Sequence, residues 1–105
     1  MTATEQILQQ IKRSVLSTDP DATVILYGSY ARGELRDDSD IDVLVLIDKE
    51  KVSYDDRRRI GDPIHHMELE TGLMISPAIF SKQLWVTKHR VGQFYRNVMK
   101  DGIKL

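Results

Sequence analysis

Gly28-Ser29-Tyr30-Ala31-Arg32-Gly33-Glu34-Leu35-Arg36-Asp37-Asp38-Ser39-Asp40-Ile41-Asp42-Val43 is the stretch on which the reading of this chain turns. Each of its ends leans on a strand-like run. Residues 23–27 before it are short, rich in β-branched side chains and almost wholly apolar, the pattern of a strand buried on both faces. Residues 40–47 at its far end begin with two acids and continue with apolar residues, a second strand. Alternate residues of a strand share a face, so Asp40 and Asp42 are expected side by side, with Leu44 and Leu46 continuing their face. Two carboxylates that close repel each other, and a divalent cation relieves the repulsion. Oxygen ligands suit Mg²⁺, with Mn²⁺ as a substitute. An isolated Asp-x-Asp is more often a solvated strand face. Here both acids head a face that is otherwise apolar, next to a polar loop where a ligand site can open.

Gly28 and Ser29 sit where the first strand gives way to an expected short helix over residues 30–35, with Ser29 as its cap. Glycine lets backbone approach a phosphate closely, and helix N-terminal amides point at anions. Taken alone, the pair also reads as a tight turn with a serine cap. Arg32 can either face a phosphate or tie the loop through a carboxylate.

Working outward, Thr2 and Glu5 have capping-box spacing, and Ile7, Leu8, Ile11, Val15 and Leu16 fall on one helical face that ends at Asp19-Pro20. Residues 36–39 form a polar connection. Ser53 is a helix cap, Ile60, Ile64 and Met67 are that helix's core stripe, and Gly72 stops it. Asp62-Pro63 predicts a kink or two abutting helices. Residues 73–80 form a third strand, in which Pro77 argues for an edge or a bulge. Ser81 caps a short helix carrying Leu84 and Trp85, and Val91, Phe94, Val98 and Met99 line a last helix ending near Gly102. The order is helix, strand, short helix, strand, helix, strand, helices, which defines one α/β domain over residues 1–105.

Composition narrows the function. The 105 residues suffice for one core, 41% are hydrophobic, 30% are charged, and the formal net charge is -1. No global field recruits nucleic acid or an anionic membrane. There is no cysteine, which removes disulfides, thiolate metal sites and cysteine nucleophiles. No apolar run approaches the ~20 residues that span a bilayer. The N-terminal residues lack a signal-peptide pattern, and the expectation is a cytoplasmic protein. Arg57-Arg58-Arg59 beside Asp55 and Asp56 reads as a solvated helix face. His65 and His66 are adjacent on a helix and diverge. Trp85, Phe94 and Tyr95 read as core or interface.

The two ends of the opening stretch together resemble the signature of the DNA polymerase β-like nucleotidyltransferase superfamily: Gly-Ser, ten residues, then Asp-x-Asp. Ala31-Arg32-Gly33 and Ser39-Asp40-Ile41-Asp42 also match the family's wording, and in length the chain is similar to a minimal nucleotidyltransferase of the antitoxin type, paired with a HEPN-domain protein. The resemblance implies a nucleotidyltransferase fold, α/β with an α+β-like character, in which helices pack on a small three- to four-stranded mixed sheet. It implies that Asp40 and Asp42 are metal ligands and catalytic, and that Gly28 and Ser29 bind the β and γ phosphates, with Arg32 beside them. It also implies transfer of a nucleoside monophosphate, AMP from ATP, to a hydroxyl of a protein acceptor, which makes the chain the antitoxin of a pair with a small helical HEPN-type toxin. A homo-oligomer stays open.

The family's third carboxylate, from the third core strand, has no counterpart in residues 73–80, and residues 72–100 contain no acid. Glu68 and Glu70 are the nearest upstream acids and read as a solvated helix end. The gap motivates a rival expectation: a weak or inactive nucleotide-binding module that neutralises its partner by contact. A small-molecule nucleotidyltransferase of the aminoglycoside-modifying kind ranks lowest, because no segment is left over for that substrate's pocket. Base and acceptor recognition are expected from another chain, or to be weak.

Overall fold

The computed structural model describes residues 3–33 and 40–105. Helix α1 (Ala3–Thr18) leads into β1 (Thr23–Tyr27), followed by β2 (Ile41–Ile47), α2 (Tyr54–Thr71), β3 (Ile75–Ser81), α3 (Lys82–Thr87), a 3₁₀ turn (His89–Val91), α4 (Gln93–Asp101) and β4 (Ile103–Lys104). The sheet runs β3-β2-β1-β4. β1 is antiparallel to both β2 and β4, while β2 and β3 are parallel, so the sheet is mixed.

Strand alternation splits the core in two. Val24, Leu26, Ile41, Val43, Val45, Ile47, Ile75 and Ile79 face one way and pack on α1 and α2 through Ile7, Ile11, Val15, Ile60 and Ile64. Leu44 and Leu46 face the other way, with Trp85 and Val98 closing over them and Ile25, Tyr27, Phe80, Phe94 and Tyr95 around the rim. Asp42 belongs to this second face, at the end the helices leave uncovered.

Local chemistry explains most element ends. Ser53 accepts from the Asp56 amide while the Asp56 carboxylate accepts from the Ser53 amide, a complete capping box. Gly72 ends α2 in the left-handed region at φ 74°. The Ser81 hydroxyl caps α3 by accepting from the Leu84 amide. Pro77 lies on β3, the edge strand expected for it.

Several expectations need correction. Of the kink or two abutting helices expected at Pro63, the second is not seen, since helix α2 runs through Pro63 as one element: the proline forfeits one backbone bond, while caps hold both ends of the 18-residue helix. The short helix expected over residues 30–35 is, as far as it is described, a single turn, with the Arg32 amide donating to the Gly28 carbonyl at 3.1 Å and the Gly33 amide to Tyr30 at 3.3 Å. Gly33 has φ 75°, which a right-handed helix does not accommodate. Glu34 and Leu35, the connection over residues 36–39, and Thr2 of the first capping box lie outside the described residues. Val91 and Met99 are exposed and do not line the core, since Val91 precedes Gly92, the cap of α4, and Met99 sits about 100° around the helix from buried Val98. The fourth strand allowed for in a three- to four-stranded sheet is β4, whose place at the end of the chain was not expected.

Candidate functional site

The antiparallel register places Asp42 opposite Tyr27, one residue before Gly28. Gly28 takes φ 75°, and a Cβ built there would collide with Asp42 Oδ2. Only glycine permits both the backbone angle and the approach of that carboxylate. After it, the turn over residues 29–33 leaves the backbone amides of Ser29, Tyr30 and Ala31 without a backbone acceptor among the described residues. Glycine turn and acid are therefore in contact, although 13 residues separate them in sequence.

Asp40 immediately precedes β2, and its Oδ2 accepts from the Ser76 hydroxyl at 3.3 Å. The two acids interact: burial is the first cause that raises the Asp42 carboxyl above its ordinary value, and the Asp40 charge is the second, with Arg32 pulling the other way. Burial, and then Asp42, raise the Tyr27 phenol in turn. A site that holds one acid against a second acid's charge fits a cation, which stabilises both ionised forms. Asp40 and Asp42 carry the kind of oxygen donors such an ion takes; among the described residues there is no group of three or more histidines, aspartates and glutamates that could hold a metal ion.

Arg32 pairs with Asp101 of α4, Nη1 to Oδ2 at 3.5 Å, while its charge is felt at Asp42. Of the two roles left open for it, the tie through a carboxylate is seen, from the turn to α4. Ser29 starts the turn directly after Gly28.

Some candidates take structural roles. Glu68 accepts from the Ile75 amide at 3.0 Å and faces His65 Nδ1 at 3.3 Å, which pins the start of β3. Arg58 and Arg59 are paired with Asp55 and Asp56, and Arg57 donates to the Ile79 carbonyl. Trp85 is core. Sequence reasoning missed Ser76, which the parallel register sets opposite Asp42 on the same face, on the strand from which a third carboxylate was looked for. The strand pairing that brings it there leaves no mark in its local sequence.

A strand ending in a glycine turn against an acid-headed neighbouring strand defines a nucleotidyltransferase domain, and the sequence profile of that family matches residues 8–97. The chain belongs to the nucleotidyltransferase domain family. A candidate protein adenylyltransferase of Methanocaldococcus jannaschii is 35% identical over 81 residues, covering 75% of this chain and 81% of the relative. A second from the same organism is 35% identical over 79 residues, covering 75% and 72%. The bifunctional uridylyltransferase/uridylyl-removing enzyme of Pseudomonas aeruginosa is 34% identical over 97 residues, 91% of this chain but 9% of that enzyme. Among solved structures, a toxin–antitoxin complex with AMP-PNP superposes at TM-score 0.58 with 15% identity, covering 98% of this chain and 72% of the other. A mutant of the toxin–antitoxin pair MntA–HpeT gives 0.56 with 16% identity, covering 100% and 72%. At such identities these two likenesses bear on fold alone.

Proposed function

We propose that this chain transfers AMP from ATP to a hydroxyl of a protein acceptor, and that the acceptor is the toxin of a toxin–antitoxin pair, a small helical protein of the HEPN type. The observation that carries the reading is the contact between the Gly28 turn and Asp42. It supports a site in which free backbone amides meet the triphosphate and the two acids meet its cation. The names of the two archaeal relatives support adenylyl transfer to protein, and the complexes that share this fold support a toxin as partner.

Asp40 and Asp42 would hold a Mg²⁺ ion that neutralises charge on the phosphate oxygens. Gly28 and Ser29 orient the β and γ phosphates, and Arg32 adds a positive charge beside them. The acceptor oxygen bonds to the α-phosphorus, the bridge to the β-phosphate breaks, pyrophosphate leaves and the hydroxyl proton passes to solvent. The protein's part is positioning and charge placement. No described helix is long and apolar enough to cross a membrane.

Incubation with α-phosphate-labelled ATP, Mg²⁺ and the protein encoded beside it should move label onto that protein, and Asp42→Asn should stop it. No transfer with either Mg²⁺ or Mn²⁺ removes the proposal. A serine rather than an acid opposite Asp42 on β3 favours one second reading, a binding module that neutralises its partner by contact. That reading is right if neutralisation survives Asp40→Ala together with Asp42→Ala.

A further inference from the structure

Beside the Gly28 turn lies a cleft of about 330 Å³, lined by Tyr27, Gly28, Arg32, Phe94, Asn97, Lys100 and Asp101. It is continuous with the phosphate turn, because Gly28 is part of its wall. Its far wall is one face of α4, and the Arg32–Asp101 pair closes it along the turn. Its volume is at the small end of the range for small-ligand sites.

The lining has the chemistry of a nucleoside site. Phe94 is half-buried and meets Tyr27 edge-on at 5.3 Å between ring centres, and the two rings give the cleft its aromatic, apolar part. Asn97 is exposed, and its Oδ1 accepts from Gln93 Nε2 at 2.9 Å, which fixes the amide. Among the described residues its Nδ2 hydrogens are not committed. A fixed amide with two hydrogens to give and an acceptor lone pair to spare can meet the ring-nitrogen and amino edge of adenine. Lys100 brings a positive charge to the lining, while Asp101 is paired with Arg32.

We infer that α4 supplies this chain's own nucleoside pocket: the base of the bound triphosphate lies against Phe94 and is read as adenine by Asn97. The inference rests on the proposed triphosphate site at Gly28 and Asp42 and adds base recognition, which the sequence led us to expect from another chain or to be weak.

Calorimetry with the full chain and Mg²⁺ compares ATP, UTP and inorganic tripolyphosphate. Wild type should bind ATP more tightly than UTP. Asn97→Ala should weaken ATP about two- to tenfold, narrow the preference over UTP and leave tripolyphosphate unchanged. Phe94→Leu should weaken ATP and UTP alike and again spare tripolyphosphate. Asn97 is exposed, so its variant folds even if Phe94→Leu does not. Asp42→Asn separates the two claims. If it abolishes ATP binding while Asn97→Ala and Phe94→Leu bind ATP as wild type, the pocket is wrong and the triphosphate site stands. If wild type binds neither ATP nor tripolyphosphate, both fall. If Asn97→Ala keeps ATP affinity but loses transfer to the partner, the cleft receives the acceptor and the inference is overturned.

Discussion

Gly28→Ala probes the contact on which the site depends, and the structure separates its cost into two parts. The first is backbone: at φ 75° an L-residue costs about 1–2 kcal/mol. The second is the new methyl, which would overlap Asp42 Oδ2 and come within 3.3 Å of Asp42 Cγ. Backbone cannot yield there without breaking the β1–β2 register, so the carboxylate must leave its rotamer, at about 0.5–1.5 kcal/mol. The single variant should therefore lose about 2–3 kcal/mol in urea unfolding. Gly72→Ala isolates the first part, because Gly72 has nearly the same angle, φ 74°, and no atom within 4 Å of the added methyl. Asp42→Ala removes the colliding atoms and leaves only Cβ, at an ordinary 3.4 Å. In that background Gly28→Ala should cost no more than Gly72→Ala, a coupling of about 1 kcal/mol between the two sites. Equal cost of Gly28→Ala with and without the Asp42 carboxylate would refute the claim that turn and acid touch.

Three further outcomes can be checked without a partner protein. Carbon-detected NMR titration of the Asp42 carboxyl should find it moved to lower pH by Asp40→Asn and to higher pH by Arg32→Gln, since the Asp40 charge raises it and Arg32 lowers it; no movement in the first variant would mean that the acids do not face each other. A raised acid holds its proton more tightly in the folded chain, so its stabilising contribution is full below the ordinary carboxylate range and is lost as pH climbs through the folded value; thermal melts across that interval should flatten in Asp42→Asn. Asp56 has the opposite sign: the Lys49 hydrogen bond, and then the Ser53 amide, hold it well below the usual range, so its contribution is present at neutral pH and lost only in strong acid, and Asp56→Ala should cost about 2 kcal/mol at pH 7 by denaturant unfolding, against almost nothing for exposed Asp62→Ala.

What the sequence discloses and what it hides follow from the range of each interaction. Ser53, Gly72 and Ser81 were readable as caps because a cap is settled within about four residues. Asp40, Asp42, Leu44 and Leu46 were readable as one face because strand period is local. Pro77 marked an edge because it lacks a ladder donor. By contrast, β4 is two exposed residues that become a strand only by pairing with β1, about 80 positions earlier, so neither alternation nor length announced it. The left-handed angle at Gly33 that limits the turn is a choice glycine allows but does not declare. Tyr27 and Asn97 line one cleft through tertiary packing alone. For the same reason the position opposite Asp42 on β3 could not be named before the parallel register was known.

That position gives the most direct control over how many charges the site can hold. Ser76 faces Asp42 in register and donates to Asp40, so its side chain already lies on the acids' face. In Ser76→Asp a third carboxylate replaces a hydrogen-bond donor. Without a cation the variant gains a like charge and loses the Ser76–Asp40 bond, so it should be less stable than wild type by about 1–2 kcal/mol. Adding Mg²⁺ should reverse the order of effects: three oxygens around one ion bind it more tightly than two, and binding to the folded state alone raises stability in proportion to that affinity. The rise in melting temperature on adding Mg²⁺ should therefore be larger for Ser76→Asp than for wild type, and absent when Asp42→Asn is combined with it. Ser76→Asn, equal in size and uncharged, should show neither the loss nor the enhanced response. If Mg²⁺ stabilises Ser76→Asp no more than Ser76→Asn, the third strand does not face the cation, and the limited charge of this site must be explained by something other than a serine at residue 76.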